Sequence, residues 1–286
     1  MIDFLTRILR ARASSRGWNW FQAACRRTDI PVDLNWLLGN YAGASLRLGK
    51  RALNLEPEET RRWNSLSPDL PLDHWGLDEL GRAILLLRIA HLPPDEYSET
   101  VLECYRQGDS REQQSWLRGI NLLPQRSRFL DAAVDACRTN IVPLLEAIAC
   151  ENPYPAAHFP ELNFNQMVLK SLFNGIRMDR ILGLESRFNP ELSRMADDYA
   201  SEREAAGRDV PPDIWWVVAP RIAPERIGRI YPYLQQGNSR HRYWAARALG
   251  YARDERSRAQ LEQRRTVESD DRVLAAIDAS LAKMVQ

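Results

Sequence analysis

A polar stripe on an otherwise apolar segment carries the side chains best placed for chemistry. Asn163, Gln166 and Lys170 follow one another at helical spacing, and Asn174 continues the same face. Only three of the 39 basic residues are lysines, and Lys170 stands among apolar neighbours. The stripe could line a polar pocket, where an ammonium acts as a compact point charge; an outward-facing stripe is the alternative. Five aromatic residues would form the walls of such a pocket: Phe164, Phe173, Tyr199, Trp215 and Trp216.

A second candidate cluster lies in the helix predicted after Asn189-Pro190. Asp198 and Glu202 are four residues apart and share a helix face that could hold a cation, although pairing with arginines on the same surface is the simpler account. The order Asp197-Asp198-Tyr-Ala-Ser-Glu202 misses by one residue the Asp-Asp-x-x-Asp/Glu spacing with which terpene synthases hold Mg²⁺. We therefore predict no metal site here.

The remaining reactive side chains form no familiar catalytic arrangement. The four histidines are far apart, and the chain contains neither a Gly-rich phosphate-binding motif nor Gly-x-Ser-x-Gly. The four cysteines are widely spaced among apolar residues, which predicts buried thiols in a reducing compartment. These patterns favour a protein with no catalytic residues, cofactor or metal, although they leave an enzyme open as the alternative.

The elements that must position these side chains are helices. Apolar residues recur with a period of 3.6 almost throughout, and strand-like alternation is nearly absent. Asn174-Gly175 and Gly207 are typical helix ends, and Asn189-Pro190 is a typical helix start. Three prolines between residues 153 and 160 predict a break in regular helix. Further helices are predicted at 77–91, from Pro94 to near Gly108, at 126–138, 140–151 and 271–281.

The predicted fold class is all-α, with helix pairs stacked as an irregular HEAT-like α-solenoid. Short Pro-, Gly-, Asn- and Asp-rich connections favour antiparallel helix pairs. The Ala-Ala-x-Ala-Leu-Gly sequence at 245–250 resembles a HEAT-type repeat, and 115–124 resembles a weaker copy. We divide the chain into an N-terminal helical-repeat region at 1–151, a distinct segment at 152–213 and C-terminal HEAT-like helices at 214–286, within one continuous domain.

Charge is unevenly distributed although 39 basic and 38 acidic residues nearly cancel. The formal net charge is +6 over residues 1–51, −10 over 52–220 and +5 over 221–286. The acidic middle argues against nucleic-acid binding. Arg7, Arg10, Arg12 and Arg16 could contact an anionic membrane, or they could belong to a polar capping helix. With no apolar run of about 18 residues and no secretory signal, we predict a cytoplasmic protein, with membrane association as an open alternative.

Three stretches of the middle segment resemble the EboA family: His158-Phe-Pro-Glu-Leu-Asn-Phe-Asn-Gln-Met-Val-Leu-Lys-Ser-Leu-Phe173, Arg187-Phe-Asn-Pro-Glu-Leu-Ser-Arg194 and Asp198-Tyr-Ala-Ser-Glu-Arg-Glu-Ala-Ala-Gly-Arg208. The resemblance is specific over 152–213 and loose elsewhere. It implies a bacterial or algal gene cluster for metabolite traffic, whose products, among them a membrane prenyltransferase, move or process a secondary-metabolite precursor towards the cell envelope. It supplies no catalytic residues to transfer.

The first functional hypothesis is a non-enzymatic helical-repeat protein that binds a metabolite precursor, a partner protein of the cluster, or both. The alternative is an enzyme of unknown reaction that acts on an amphiphilic or prenylated metabolite. A third hypothesis is a pure scaffold that works through its charged ends. The candidate ligand-binding residues are Asn163, Asn165, Gln166, Lys170, Asn174, Arg187, Asp198, Tyr199, Glu202 and Arg203.

Overall fold

The computed structural model describes residues 1–29, 32–252 and 254–284, and within these ranges the chain is all-α, as predicted. The described residues form no strand, only one isolated antiparallel bridge between Ala52 and Gly76. None of the described helices is long and apolar enough to cross a lipid bilayer. The α-helices are Ile2–Arg12 (α1), Ser15–Arg26 (α2), Leu34–Leu48 (α3), Pro57–Leu66 (α4), Leu77–Arg88 (α5), Pro94–Arg106 (α6), Ser110–Gly119 (α7), Leu130–Ala136 (α8), Val142–Ala149 (α9), Tyr154–His158 (α10), Glu161–Phe173 (α11), Pro190–Ala205 (α12), Ile214–Val218 (α13), Tyr231–Gln235 (α14), Ser239–Leu249 (α15), Glu255–Arg265 (α16) and Asp271–Met284 (α17).

Local signals set many of these helix ends. The Asp109 carboxylate accepts a hydrogen bond from the backbone N–H of Glu112 at 2.8 Å, which satisfies one of the free donors at the start of α7. The Asn189 side chain does the same for α12. Gly175 and Gly207 have φ values of 71° and 63°, a left-handed conformation that terminates a helix at little cost when the residue is glycine. These predicted ends are confirmed.

The proline-rich segment differs from its prediction, because it contains the short helix α10. Pro155 lies in the first turn of α10, where a missing N–H leaves no intrahelical hydrogen bond broken. The side chain of Asn152 is buried just before the helix and accepts from the backbone N–H of Tyr154 at 3.0 Å. Its amide also donates to the carbonyls of Leu117 and Ala147 at 2.9 and 3.0 Å. The predicted break in regular helix is present at 150–153 and 159–160, but the short helix at 154–158 was not predicted.

The helices fall into two compact units. Unit 1 comprises Met1–Phe164 and Arg180–Leu182, and unit 2 comprises Asn165–Asp179 with the residues from Gly183 onwards. The boundary at 164/165 lies inside α11. The division at 151/152 and 213/214, and the solenoid-like stacking of the helix pairs, stay predictions.

Unit 1 is built around α5, which packs against α1, α3 and α7. Its apolar face is fully buried, with Leu80, Ile84 and Leu85 at 0% exposure. The same helix buries three charged side chains, which cost free energy unless they are paired. Composition and periodicity gave no sign of the ionic network that these side chains form.

The buried ionic network joins α5 to α3 and α7. The Asp78 carboxylate accepts from Arg82 at 3.1 Å and from Arg111 at 2.9 and 3.0 Å. Arg82 also donates to the Tyr41 carbonyl at 2.8 Å. Glu79, the next residue, accepts from Arg118 at 2.6 Å. Pairing with arginine, together with a hydrogen bond from a serine, keeps the pKa of Asp78 below its ordinary value although burial alone would raise it.

Unit 2 is built around α15, which packs against α13, α14 and α17. Ala245, Ala246 and Ala248 are buried, and their small side chains allow close packing. Gly250, which caps α15, lies so close to α17 that a Cβ there would be 2.9 Å from the Cβ of Ser280. The approach of α15 to α17 therefore depends on glycine at this position.

Candidate functional site

A cleft in unit 2, between α15 and α17, has a volume of about 850 Å³, which is within the usual range for small-molecule sites. Both helices begin at the same end of the cleft, and a side chain caps the start of each. Asn238 caps α15 by accepting from the backbone N–H of His241 at 3.1 Å. Asp270 caps α17 by accepting from the backbone N–H of Arg272 at 2.9 Å. We call this feature the α15–α17 cleft; small residues of α17 form one wall: Ala275, Ala276, Ala279 and Ser280.

Positive charge predominates in the lining of the α15–α17 cleft. Both carboxylates of the lining already accept hydrogen bonds. Asp179 accepts from Arg177 at 3.0 Å, and Asp270 accepts from the backbone N–H of Arg272 at the start of α17. Arg240 and Arg272 are exposed, and among the described residues neither forms an ion pair. The lining has a formal net charge of +3, from Asp179 and Asp270 against five cations: Arg177, Arg240, Arg247, Arg272 and Lys283.

Aromatic rings contact two of these cations. The Arg247 guanidinium lies 4.2 Å from the ring centroid of Trp216 and 5.1 Å from that of Trp244. The two indoles are themselves 5.3 Å apart. The Lys283 ammonium lies 4.8 Å from the ring centroid of Tyr251. Cation–π contacts of this kind stabilise a charge without neutralising it, so the positive potential of the cleft persists.

The α15–α17 cleft is suited to holding a negatively charged small molecule with an apolar or flat body. Guanidinium groups bind phosphate and carboxylate oxygens through paired N–H donors. Ala275 and Ala279 of α17 are exposed and offer apolar surface next to these donors, whereas Trp244 and Val273 of the lining are buried. Within the described ranges, no group of three or more His, Cys, Asp or Glu side chains is placed to hold a metal ion. The cations beside apolar surface favour binding of an anionic molecule.

The polar stripe predicted on α11 is at least partly exposed to solvent. Gln166 and Asn174 are exposed, whereas Asn163 and Lys170 are half-buried. The Asn174 amide donates to the Lys170 carbonyl at 2.8 Å, a hydrogen bond that satisfies the end of α11. Asn165 points to another side: it is 1% exposed. Its amide exchanges hydrogen bonds with the Asn189 amide at 3.0 and 3.2 Å.

The candidates on and near α12 are held in pairs. Arg194 donates to Asp198 at 2.6 Å, the helix-surface pairing that the sequence made the simpler account. Tyr199 meets Phe173 edge to face at 4.3 Å. Arg203 donates to the Asp209 carbonyl at 2.9 Å. The backbone carbonyl of Arg187 accepts a hydrogen bond from the Asn189 amide. Glu202, in contrast, is exposed.

None of the ten predicted ligand-binding residues lies in the lining of the α15–α17 cleft. Of the predicted aromatic walls, Phe173 and Tyr199 do meet, whereas Trp215 packs on Tyr233 and Trp216 on Phe188. A ligand-binding role for the ten residues stays a prediction. The residues of the cleft were missed, although the net charge of +5 over residues 221–286 was a signal for them.

The other buried titratable groups fit structural roles. The four cysteines are buried, as predicted, and burial raises the pKa of the Cys104 and Cys150 thiols to about 12. A thiol held in its neutral form is a poor nucleophile. Burial, and then a hydrogen bond to Glu204, raise the pKa of Tyr233 to about 12.

Comparison with known proteins places most of the chain in a family. A family model described as "Metabolite traffic protein EboA" matches residues 1–219. The matched range includes Arg177 and Asp179 of the cleft lining, whereas the other lining residues come after residue 219. No curated protein and no solved structure matches the chain.

Proposed function

The chain belongs to the EboA family of metabolite traffic proteins, and from this premise we propose that unit 2 holds the transported metabolite in the α15–α17 cleft. The observation that carries the proposal is the lining of the cleft, where five cations face only two carboxylates beside the exposed alanines of α17. A precursor with a phosphate or carboxylate group and an apolar body complements that lining.

The proposed role is binding without conversion. A traffic protein has to release its cargo unchanged, and cation–π and ion-pair contacts at a half-open surface are reversible. The cargo would pass to partner proteins of the same gene cluster, a membrane prenyltransferase among them, and so towards the cell envelope. Partner and direction are parts of the proposal that come from the family resemblance.

Inorganic pyrophosphate is a suitable probe for the cleft. Its binding is followed by tryptophan fluorescence, because Trp216 and Trp244 contact Arg247. We expect the double variant Arg240→Gln with Arg272→Gln to bind it about a hundredfold more weakly, since two charged hydrogen bonds of about 1.5 kcal/mol each are lost. The matched control is Arg208→Gln with Arg221→Gln, two exposed arginines of unit 2 outside the lining. Equal weakening in both variants would refute the proposal.

Native mass spectrometry of the protein purified from producing cells would identify the cargo. We expect a small anionic molecule on the wild-type chain and its loss from the Arg240→Gln, Arg272→Gln variant. Chemically altered cargo after incubation would instead support an enzyme.

The surface around α11 and α12 is the second candidate location. It is favoured by Phe173, which is 54% exposed beside Tyr199 although large apolar side chains are normally buried. Lys170→Ala and Asp198→Asn test it through delivery of the metabolite in producing cells. Asp135→Asn is the control, because Asp135 forms a similar exposed ion pair with Arg138. Delivery unchanged by all three variants would remove this location.

A further inference from the structure

The surface of the α2–α3 hairpin in unit 1 combines positive charge with exposed apolar groups. Neither helix contains an aspartate or a glutamate. Arg16, Arg26 and Arg47 are exposed, and among the described residues none of them forms an ion pair. Beside Arg47, the side chain of Leu46 is 85% exposed, the largest exposure among the large apolar residues described.

Three contacts place α2 and α3 side by side, so that their outer residues share one surface. At one end, the backbones are so close that a Cβ on Gly17 would lie 2.6 Å from the Arg47 carbonyl oxygen. In the middle, the indole of Trp20 lies 3.9 Å from the position of a Cβ on Gly43. A cation–π contact of 5.0 Å between Arg27 and Trp36 closes the other end.

Residues at helical spacing extend this surface along each helix. On α2, Arg16 and Trp20 are four residues apart, and Arg27, seven residues after Trp20, directly follows the helix. On α3, Trp36 and Arg47 lie on the same side as Gly43, since they are seven and four residues from it. Both tryptophans are half-buried, which leaves part of each ring at the surface. The hairpin therefore presents indoles between arginines.

We infer that the α2–α3 hairpin docks on an anionic lipid surface. Indole rings are enriched at membrane–water interfaces, where one part of the ring meets acyl chains and the other meets water. Arginines near an anionic leaflet add electrostatic attraction, and an exposed leucine adds apolar contact with the acyl boundary. The exposed Ala42 has a short side chain that lets the lipid surface approach α3.

Helix α1 is unsuited to insert apolar side chains into a membrane, although the sequence suggested its arginines as a possible membrane contact. Its apolar side chains, Phe4, Leu5, Ile8 and Leu9, are buried against the core of unit 1. Arg7 and Arg10 remain exposed, and Arg10 lies 5.9 Å from the ring of Trp18 on α2. Helix α1 can thus supply charge beside the docking surface, while the apolar contact comes from α3.

Sedimentation with lipid vesicles tests the inference on the full chain. We expect binding to vesicles of phosphatidylcholine and phosphatidylglycerol in equal parts, weak binding to phosphatidylcholine alone, and weaker binding as salt is added. Arg16→Gln with Arg47→Gln should lower the partition coefficient about fivefold per arginine. Leu46→Asn should lower it too, without unfolding the chain, because Leu46 makes little contact with the core.

Matched controls separate docking from general charge and hydrophobicity. Arg61→Gln with Arg62→Gln removes the same charge from exposed positions of α4, and Val267→Asn removes an apolar side chain that is 67% exposed in unit 2. The inference predicts that these controls bind vesicles almost as the wild type does. It is overturned if test and control variants lose binding equally. It is also overturned if the wild type binds a single-stranded oligonucleotide and leaves the vesicles unbound.

Discussion

The guanidinium of Arg247 lies 4.2 Å from the ring of Trp216, whereas its contact with the Glu185 carboxylate is long, at 3.4 Å. The charge thus contacts π-faces as well as an anion, and its side chain remains 27% exposed. A cation held in this way is rigid and still attracts an anion. This combination is what a binding site for a charged cargo requires, because little rearrangement is needed on binding.

Arg247→Ala should destabilise unit 2 by about 1 kcal/mol, because it removes cation–π contacts with indoles. The measurement is urea unfolding followed by tryptophan fluorescence, which should also report the altered surroundings of Trp216 and Trp244. Arg208→Ala, at an exposed position on the same unit, should leave the unfolding midpoint unchanged.

Gly250→Ala should destabilise the chain by about 2 kcal/mol, because a Cβ at this position would lie 3.1 Å from the Cα of Ser280 and force α15 from α17. Pyrophosphate binding should weaken as well, since Ser280 lines the cleft. Gly228→Ala is the control: its Cβ would meet the Tyr231 ring at an ordinary 3.8 Å. A midpoint of thermal unfolding that is equal for the two variants would contradict the expected clash.

Glu268→Gln should destabilise unit 2 by about 2 kcal/mol at neutral pH, because the fully buried carboxylate accepts from Arg242 at 2.7 Å and from Arg264 at 2.9 Å. These hydrogen bonds lower the pKa of Glu268 below its ordinary value of 4.5. Its stabilising contribution is therefore complete above pH 4.5 and is lost as the pH falls through the lower pKa of the folded state.

Urea unfolding of wild type and Glu268→Gln at a series of pH values would measure this loss. The difference in unfolding free energy should shrink as the solution becomes more acidic. Glu262→Gln is the control, since Glu262 pairs with Arg258 at the surface and its side chain is 56% exposed. A difference for Glu268→Gln that does not change with pH would count against the ion pairs.

Arg82→Met should destabilise unit 1 by about 3 kcal/mol, because it leaves the buried Asp78 with one arginine fewer and the Tyr41 carbonyl without its donor. Denaturation by guanidinium chloride, followed by circular dichroism, measures the change. Arg88→Met is the matched control on the same helix: Arg88 is half-buried and, among the described residues, forms no ion pair. Similar losses for both variants would mean that the ionic network contributes little.

Helix positions and helix ends were predictable because the signals that set them act over a few residues. The Asn189 cap needs only the backbone of Leu192, and the left-handed Gly175 needs only the end of its own helix. The same locality explains why α10 was missed, since its start also depends on hydrogen bonds between Asn152 and the distant Leu117. A pattern within one segment contains no information about such a partner.

The candidate site was less predictable than the fold. Lys170 was conspicuous because lysine is rare, but its helix places the stripe at a surface, and rarity in composition carries no information on position. The cleft combines Arg177 with residues of α15 and α17 that follow more than sixty positions later. Only packing brings them together, so spacing along the chain could not reveal them.

The sequence by itself determined that the chain is helical, where most helices begin and end, and that positive charge gathers in its C-terminal part, because helix periodicity, caps and net charge are properties of neighbouring residues. Tertiary structure decided which charges are buried and which face a cleft. Asp78 and Arg82 are charged residues of one helix, and both are buried. Arg240 and Arg272 instead remain exposed at the α15–α17 cleft. Burial follows from the fit of one helix against another, and that fit depends on contacts between residues far apart in the chain.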